Sequence, residues 1–151
     1  RGRRVTGLPP GRLPAPGSLL GDLGKLNDYN IAGPTTFVQH AGALALRDGD
    51  GYVSDLLERL RRRRDLVAQG LSQFSRVRFA PPEAAFYAFF SVDGVTDSLE
   101  FARRIVSEAG VGLAPGNAFG DQGEGYLRLC FASSEAALSD ALERMRPLLD
   151  G

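Results

Sequence analysis

The sequence predicts an α+β fold: a small sheet of about four strands with helices packed on one face, preceded by long helices. Three observations carry this expectation. Apolar residues recur at helical spacing in five segments, starting near Leu19, Pro34, Tyr52, Asp97 and Ser134. Short apolar or alternating runs at 77–79, 84–92, 111–113 and 126–132 read as strands. From Leu71 onward the order is strand, strand, helix, strand, strand, helix, which gives a small sheet with helices on one side.

Each element has its own local reason. Residues 1–18 are rich in Arg, Gly and Pro, and prolines fix φ and remove donors, so they read as an irregular leader. Leu19 to Asn27 reads as a short helix with Leu19, Leu20, Leu23 and Leu26 on one side. A turn-rich connector leads to Pro34, where Thr35 or Thr36 can cap a helix whose apolar face is Phe37, Val38, Ala41, Leu44 and Ala45. Asp48-Gly-Asp-Gly51 breaks that helix. It fails as a calcium loop, because Tyr52 and Val53 stand where a further acidic ligand and the turn glycine belong. A long helix follows on Tyr52, Leu56, Leu60, Val67 and Leu71. The expected division is a helical portion at 19–51 and a small domain at 52–151.

In that domain Val77-Arg-Phe79 reads as a strand, Pro81-Pro82 as a turn, and Ala84–Val92, aromatic and nearly all apolar, as a central strand. Asp97-Ser-Leu-Glu100 starts a helix with Leu99, Ala102, Ile105, Val106 and Ala109 expected inward and Gly110 ending it. Val111–Leu113 reads as a short strand. Ser133 or Ser134 caps a last helix with apolar face Leu138, Leu142, Met145 and Leu149.

Composition narrows the functional classes. The chain of 151 residues has 43% hydrophobic and 24% charged residues, ordinary values for one globular domain. Eighteen basic residues balance eighteen acidic ones, which argues against nucleic acid or an anionic membrane as partner. The basic run Arg59 and Arg61–Arg64 is interleaved with Asp55, Glu58 and Asp65 and reads as a solvated helix face. A single cysteine, Cys130, precludes an internal disulfide and fits a reducing compartment; with no secretory signal and no spanning segment visible, the cytoplasm is the expected location. The single histidine, His40, has no partner at ligand spacing and reads as a helix-surface residue. Lys25, the only lysine, falls on the polar side of its helix. No metal site and no nucleophile–base pair emerges.

The chemistry concentrates around residues 114–132. Leu127, Leu129 and Phe131 fall on one face of the strand, and Tyr126, Arg128 and Cys130 on the other. Arg128 is a permanent cation within an apolar strand, costly unless something anionic meets it. Three readings stand open: a fork holding a substrate carboxylate, an arginine on an edge strand, or one paired internally with Asp or Glu.

Pro115-Gly116-x-x-Phe119-Gly120, Gly123, Gly125-Tyr126-x-Arg128 and Phe131-Ala132 resemble the C-terminal signature of fold-type I, class I/II pyridoxal-phosphate-dependent aminotransferases. Pro82-x-Ala84-Ala85-Phe86-Tyr87 and Gly33-Pro34 with Gln39-His-Ala also resemble that family. The resemblance implies that Arg128 binds the α-carboxylate of an amino-acid or 2-oxo-acid substrate, with Asn117, Phe86 and Tyr87 beside it. It implies pyridoxal 5'-phosphate as cofactor, transfer of an amino group as reaction, and a homodimer in which residues 28–33 approach the neighbouring subunit. Val5-Thr-Gly7, Gly11, Leu13, Ala15-Pro16 and Leu19-Leu20 match the segment that carries the family's Schiff-base lysine and phosphate arginine. On that register Arg1 stands at the lysine position and Pro9 at the arginine position. A guanidinium forms no Schiff base and proline binds no phosphate. The chain by itself is therefore expected to supply no catalytic and no cofactor-binding residue. Two other readings remain: a different reaction on the same fold, such as a lyase, and a non-catalytic carboxylate-binding or dimerisation module.

Overall fold

The structure is a computed structural model and describes residues 14–30 and 32–150. Residues 1–13, including Arg1, Pro9 and Arg12, lie outside the described residues, as does Ile31 of the connector. The chain divides into two compact units that meet between Leu56 and Leu57.

The first unit is helical among the described residues. A 3-10 turn at Gly17–Leu19 runs into α1, Leu20–Asn30, and α2 follows at Thr36–Asp48. Thr35 is the N-cap of α2, but its hydroxyl makes no capping bond; Gln39 Nε2 donates to Pro34 O at 2.8 Å instead. Of the apolar face expected on α2, Val38 is buried while Phe37 and Leu44 are exposed. A helix stripe is buried only where another element lies against it, and periodicity does not say where that is. Lys25 and His40 are exposed.

Helix α3, Asp50–Leu71, runs from the first unit into the second. Two of its arginines are met by acids: Arg62 reaches Glu58 at 3.0 Å and Glu135 at 3.6 Å, and Arg64 reaches Asp65 at 2.7 Å. Val67 and Leu71 are buried, whereas Tyr52, expected on the apolar stripe, is exposed.

The second unit holds the sheet. Strands β1 (Val77–Phe79), β2 (Tyr87–Val92), β3 (Ala114–Pro115) and β4 (Tyr126–Cys130) pair antiparallel in the order β1-β2-β4-β3. Ala88, Phe90, Val92, Leu127 and Leu129 point to one face and are buried. They pack with Val67, Leu71 and Phe74 and with two helices, α4 (Ser98–Ala109) and α5 (Glu135–Leu149). This is the α+β arrangement with helices on one face.

The caps follow the sequence. Asp97 accepts from Glu100 N at the start of α4, and Gly110 ends it at φ 64°, a left-handed conformation that glycine adopts without strain. Ser134 accepts from Ala137 N at the start of α5. Leu138, Leu142, Met145 and Leu149 are all buried.

Four further expectations are corrected. On α4, Leu99 and Val106 are exposed, and Ser98 and Phe101 are buried with Ala102, Ile105 and Ala109. The buried stripe is rotated because Ser98 is drawn inward by polar partners described below. The central strand starts at Tyr87, not Ala84, because Ala85 takes φ 65° and breaks the extended run. The third strand pairs at Ala114–Pro115 rather than 111–113, and β4 stops at Cys130. Strand ends follow hydrogen-bond partners, which a local pattern does not contain.

Candidate anion-binding site on the open sheet face

The face of the sheet opposite α4 and α5 carries the alternate side chains of β2 and β4. Register sets Phe89 opposite Arg128, Tyr87 opposite Cys130 and Ser91 opposite Tyr126, and places Ala114 of β3 on the other side of Arg128. Arg128 is thus on an interior strand, in the middle of a row. The edge-strand reading is excluded by this order.

The internal ion-pair reading fails as well. Among the described residues no carboxylate and no carbonyl meets the Arg128 guanidinium. Its neighbours are rings: Cζ lies 4.4 Å from the centroid of Tyr87 and 4.0 Å from that of Phe119. Both contacts are favourable cation–π geometry. A ring is no substitute for an oxygen acceptor, so among the described residues the N–H groups that fork onto a carboxylate have no such acceptor.

The rings continue outward. Phe119 meets Phe89 edge to face at 6.2 Å, and Phe89 stacks on Tyr126 at 4.9 Å with an interplanar angle of 11°. Phe86 packs against Tyr87 at 4.6 Å. Phe86, Phe89 and Phe119 remain exposed. The open face is therefore an aromatic surface around Arg128; the other arginine of that face, Arg78 opposite Ser91 on β1, is paired with Asp93 at 2.9 Å.

The loop that delivers Phe119 is built tightly. Two 3-10 turns, Gly116–Phe119 and Asp121–Gly123, fold back so that the backbones of Gly116 and Gly123 touch. A Cβ on either would lie 2.1 Å from the other's carbonyl oxygen, so no side chain fits. At the base of the loop, Glu124 Oε1 accepts from Ser98 N and Ser98 Oγ, both at 2.6 Å, and from Gly125 N at 3.1 Å. Its Oε2 accepts from Asn117 Nδ2 at 3.2 Å. Ser98 Oγ accepts in turn from Gly125 N at 2.8 Å. These donors, led by the Ser98 hydroxyl, hold the Glu124 carboxyl down at about 2. A carboxylate at the first turn of α4 also complements the helix dipole.

Of the four residues expected at the substrate, Tyr87 touches Arg128, Phe86 lies one ring further out, and the Asn117 amide is engaged by Glu124 rather than turned to Arg128. Sequence reasoning missed Phe89, Glu124 and Ser98. Phe89 joins Arg128 only through cross-strand register. Glu124 and Ser98 are 26 residues apart, and nothing local links them. The paired glycines at 116 and 123 were the visible sign of a close backbone approach.

Fold and site define a small α+β domain with an arginine, flanked by aromatic rings, on an open sheet face. No protein-family model matches the chain. It is 36% identical over 148 residues to the aromatic-amino-acid aminotransferase 2 of Thermococcus litoralis, covering 96% of this chain and 38% of that protein. It is 35% identical over 131 residues to the LL-diaminopimelate aminotransferase of Oleidesulfovibrio alaskensis, covering 87% of this chain and 34% of that protein. Among solved structures, an aromatic aminotransferase from Pyrococcus horikoshii superposes with a TM-score of 0.82 at 35% identity, covering 89% of this chain and 37% of that one. An aspartate aminotransferase from Thermus thermophilus with maleate gives 0.80 at 30% identity, covering 89% and 35%.

Over most of its length the chain is similar to aminotransferases, and it fits as a fragment of a fold-type I, pyridoxal-phosphate-dependent aminotransferase. It spans little more than a third of the length of the curated relatives it matches.

Proposed function

We propose that this chain supplies the substrate-carboxylate side of an aminotransferase that moves an amino group between an amino acid and a 2-oxo acid. The observation that carries the reading is Arg128: a cation on an interior strand and an open face, with Cζ over two rings and, among the described residues, no carboxylate or carbonyl partner. A fork so placed binds a carboxylate in the plane of the guanidinium, and bidentate contact fixes the orientation of the attached carbon. The rings of Phe119 and Tyr87 beside the guanidinium lower the local polarity, which strengthens a contact made by its N–H groups. The solved aspartate aminotransferase with maleate, itself a carboxylate, supports the same class of ligand.

Pyridoxal phosphate supplies the electron sink in this family's chemistry. The described residues of this chain do not fit as its holder. Schiff-base formation needs an amine in a shielded site, and the single lysine, Lys25, is exposed on α1 between Asp22 and Asp28 in sequence. The role proposed for this chain is to bind and orient substrate. Homodimer formation, with residues 28–33 near the neighbouring subunit, and cytoplasmic location belong to the same proposal; no helix among the described residues is long and apolar enough to cross a membrane. Each named relative is an aminotransferase, and none supports a lyase or a non-catalytic module.

The test is carboxylate binding by the 151-residue chain. Carbon-13-labelled pyruvate observed by NMR should broaden in the presence of the wild-type chain and not in the presence of R128Q. Equal broadening with both proteins would overturn the assignment of Arg128.

A further inference from the structure

The contacts of Glu124 and Asn117 reach further than the base of the loop. Glu124 binds α4 through Ser98 with one carboxylate oxygen and the loop through Asn117 with the other. Asn117 lies two residues before Phe119, within the same 3-10 turn, and Phe119 is the ring at 4.0 Å over Arg128. The Gly116–Gly123 backbone contact closes the loop behind them, and the turn follows directly on β3, which pairs with β4; beyond that root, these side-chain ties and the ring contacts reach the end that carries Phe119.

We propose that Glu124 and Asn117 form a latch that positions the Phe119 loop on Arg128, and that they are positioning residues of the carboxylate site rather than ligands of the substrate. The functional half of this inference rests on the carboxylate reading of Arg128. The structural half stands on the hydrogen bonds alone. The latch explains why an asparagine in the binding loop turns its amide away from the fork. It also links α4 to the site: the helix N-terminus and the ring over the guanidinium are held by opposite oxygens of one carboxylate. With Asn117 truncated, the turn keeps its backbone closure but loses the side-chain tie, and Phe119 is free to leave the guanidinium. With Glu124 changed to glutamine, Oε1 still accepts from Ser98 and Gly125, and a rotated Asn117 amide can pair with the new amide. The latch is then retained.

The test reads two quantities on the full chain: the ring-current shift of the Arg128 side-chain protons by NMR, and the affinity for pyruvate. F119A calibrates the loss of the ring. N117A and E124A should reproduce most of the F119A shift change and weaken pyruvate binding about fivefold, the scale of one exposed cation–π contact. E124Q should restore both readings to near the wild-type values. Arg128 shifts in N117A and E124A equal to wild type, with F119A changed, would overturn the latch. If wild-type protein fails to bind pyruvate while N117A still moves the Arg128 shift, the latch stands and the carboxylate reading fails.

Discussion

Arg128 and Phe119 come from a β-strand and from the loop that precedes it, yet the guanidinium carbon sits 4.0 Å from the ring centroid. The pairing turns a flexible cation into a fixed one. The guanidinium carbon lies over the rings of both Phe119 and Tyr87, and among the described residues its N–H groups meet no carboxylate or carbonyl. An arginine held in this way loses little further entropy on binding a planar carboxylate.

The first prediction concerns the charge itself. Arg128→Gln should weaken carboxylate binding by about 2–3 kcal/mol, the worth of a charge-assisted bidentate contact. Arg128→Lys keeps the charge and loses the fork, and it should recover only a part of the affinity. Stability should fall by no more than about 1–2 kcal/mol in either variant, because the residue gives up ring contacts but no ion pair. Isothermal titration with pyruvate and thermal melts check both statements.

Glu124 predicts a pH response. Its carboxyl is lowered in the folded chain to about 2 from an ordinary value of 4.5. A depressed carboxyl contributes stability that is present above its unfolded value and lost as pH falls toward the folded one. The melting temperature of the wild type should therefore carry a component that declines between pH 4.5 and about 2. E124Q, which does not ionise, should lack that component. Superimposable pH profiles for the two proteins would contradict the assignment.

The glycine pair gives a steric prediction. Gly123→Ala places a Cβ against the Gly116 carbonyl oxygen, a contact of 2.1 Å that backbone atoms cannot yield to without opening the loop. The cost should be at least about 2 kcal/mol, typical of overpacking against backbone. The Phe119 contact should be lost with it. Gly120→Ala, whose Cβ meets nothing but whose φ is 118°, should show strain without the steric clash.

The rotated stripe of α4 is testable in the same way. Phe101→Ala should cost about 3–5 kcal/mol, as for a large buried ring. Leu99→Gln and Val106→Gln, both at exposed positions, should each cost less than about 1 kcal/mol. The sequence pattern alone would have ranked them the other way. Chemical denaturation of the three variants decides it.

The fold class was legible because its signals are local. Helix starts at Asp97 and Ser134, the glycine stop at Gly110 and the apolar face of α5 depend on residues within a few positions of one another. Period two alone put Arg128 with Tyr126 on one strand face, and family resemblance gave the arginine its candidate role. What pattern could not give was partnership. Phe89 faces Arg128 through the β2–β4 register, and Ser98 is buried because Glu124 reaches it from another segment. A serine at the helix start then displaces Leu99 from the core, which hydrophobicity does not foresee. Asn117 illustrates the same limit, since its place beside the binding loop was readable but the direction of its amide was not.

The most direct measurement is the Arg128 Nε–Hε resonance in the nitrogen-15-labelled chain, titrated with pyruvate and, separately, with pyruvamide. A carboxylate seated on the fork should shift that resonance saturably, while the neutral amide, with no anion to offer, should leave it in place. Matching responses to the two ligands, or no response to pyruvate, would contradict Arg128 as the carboxylate receptor.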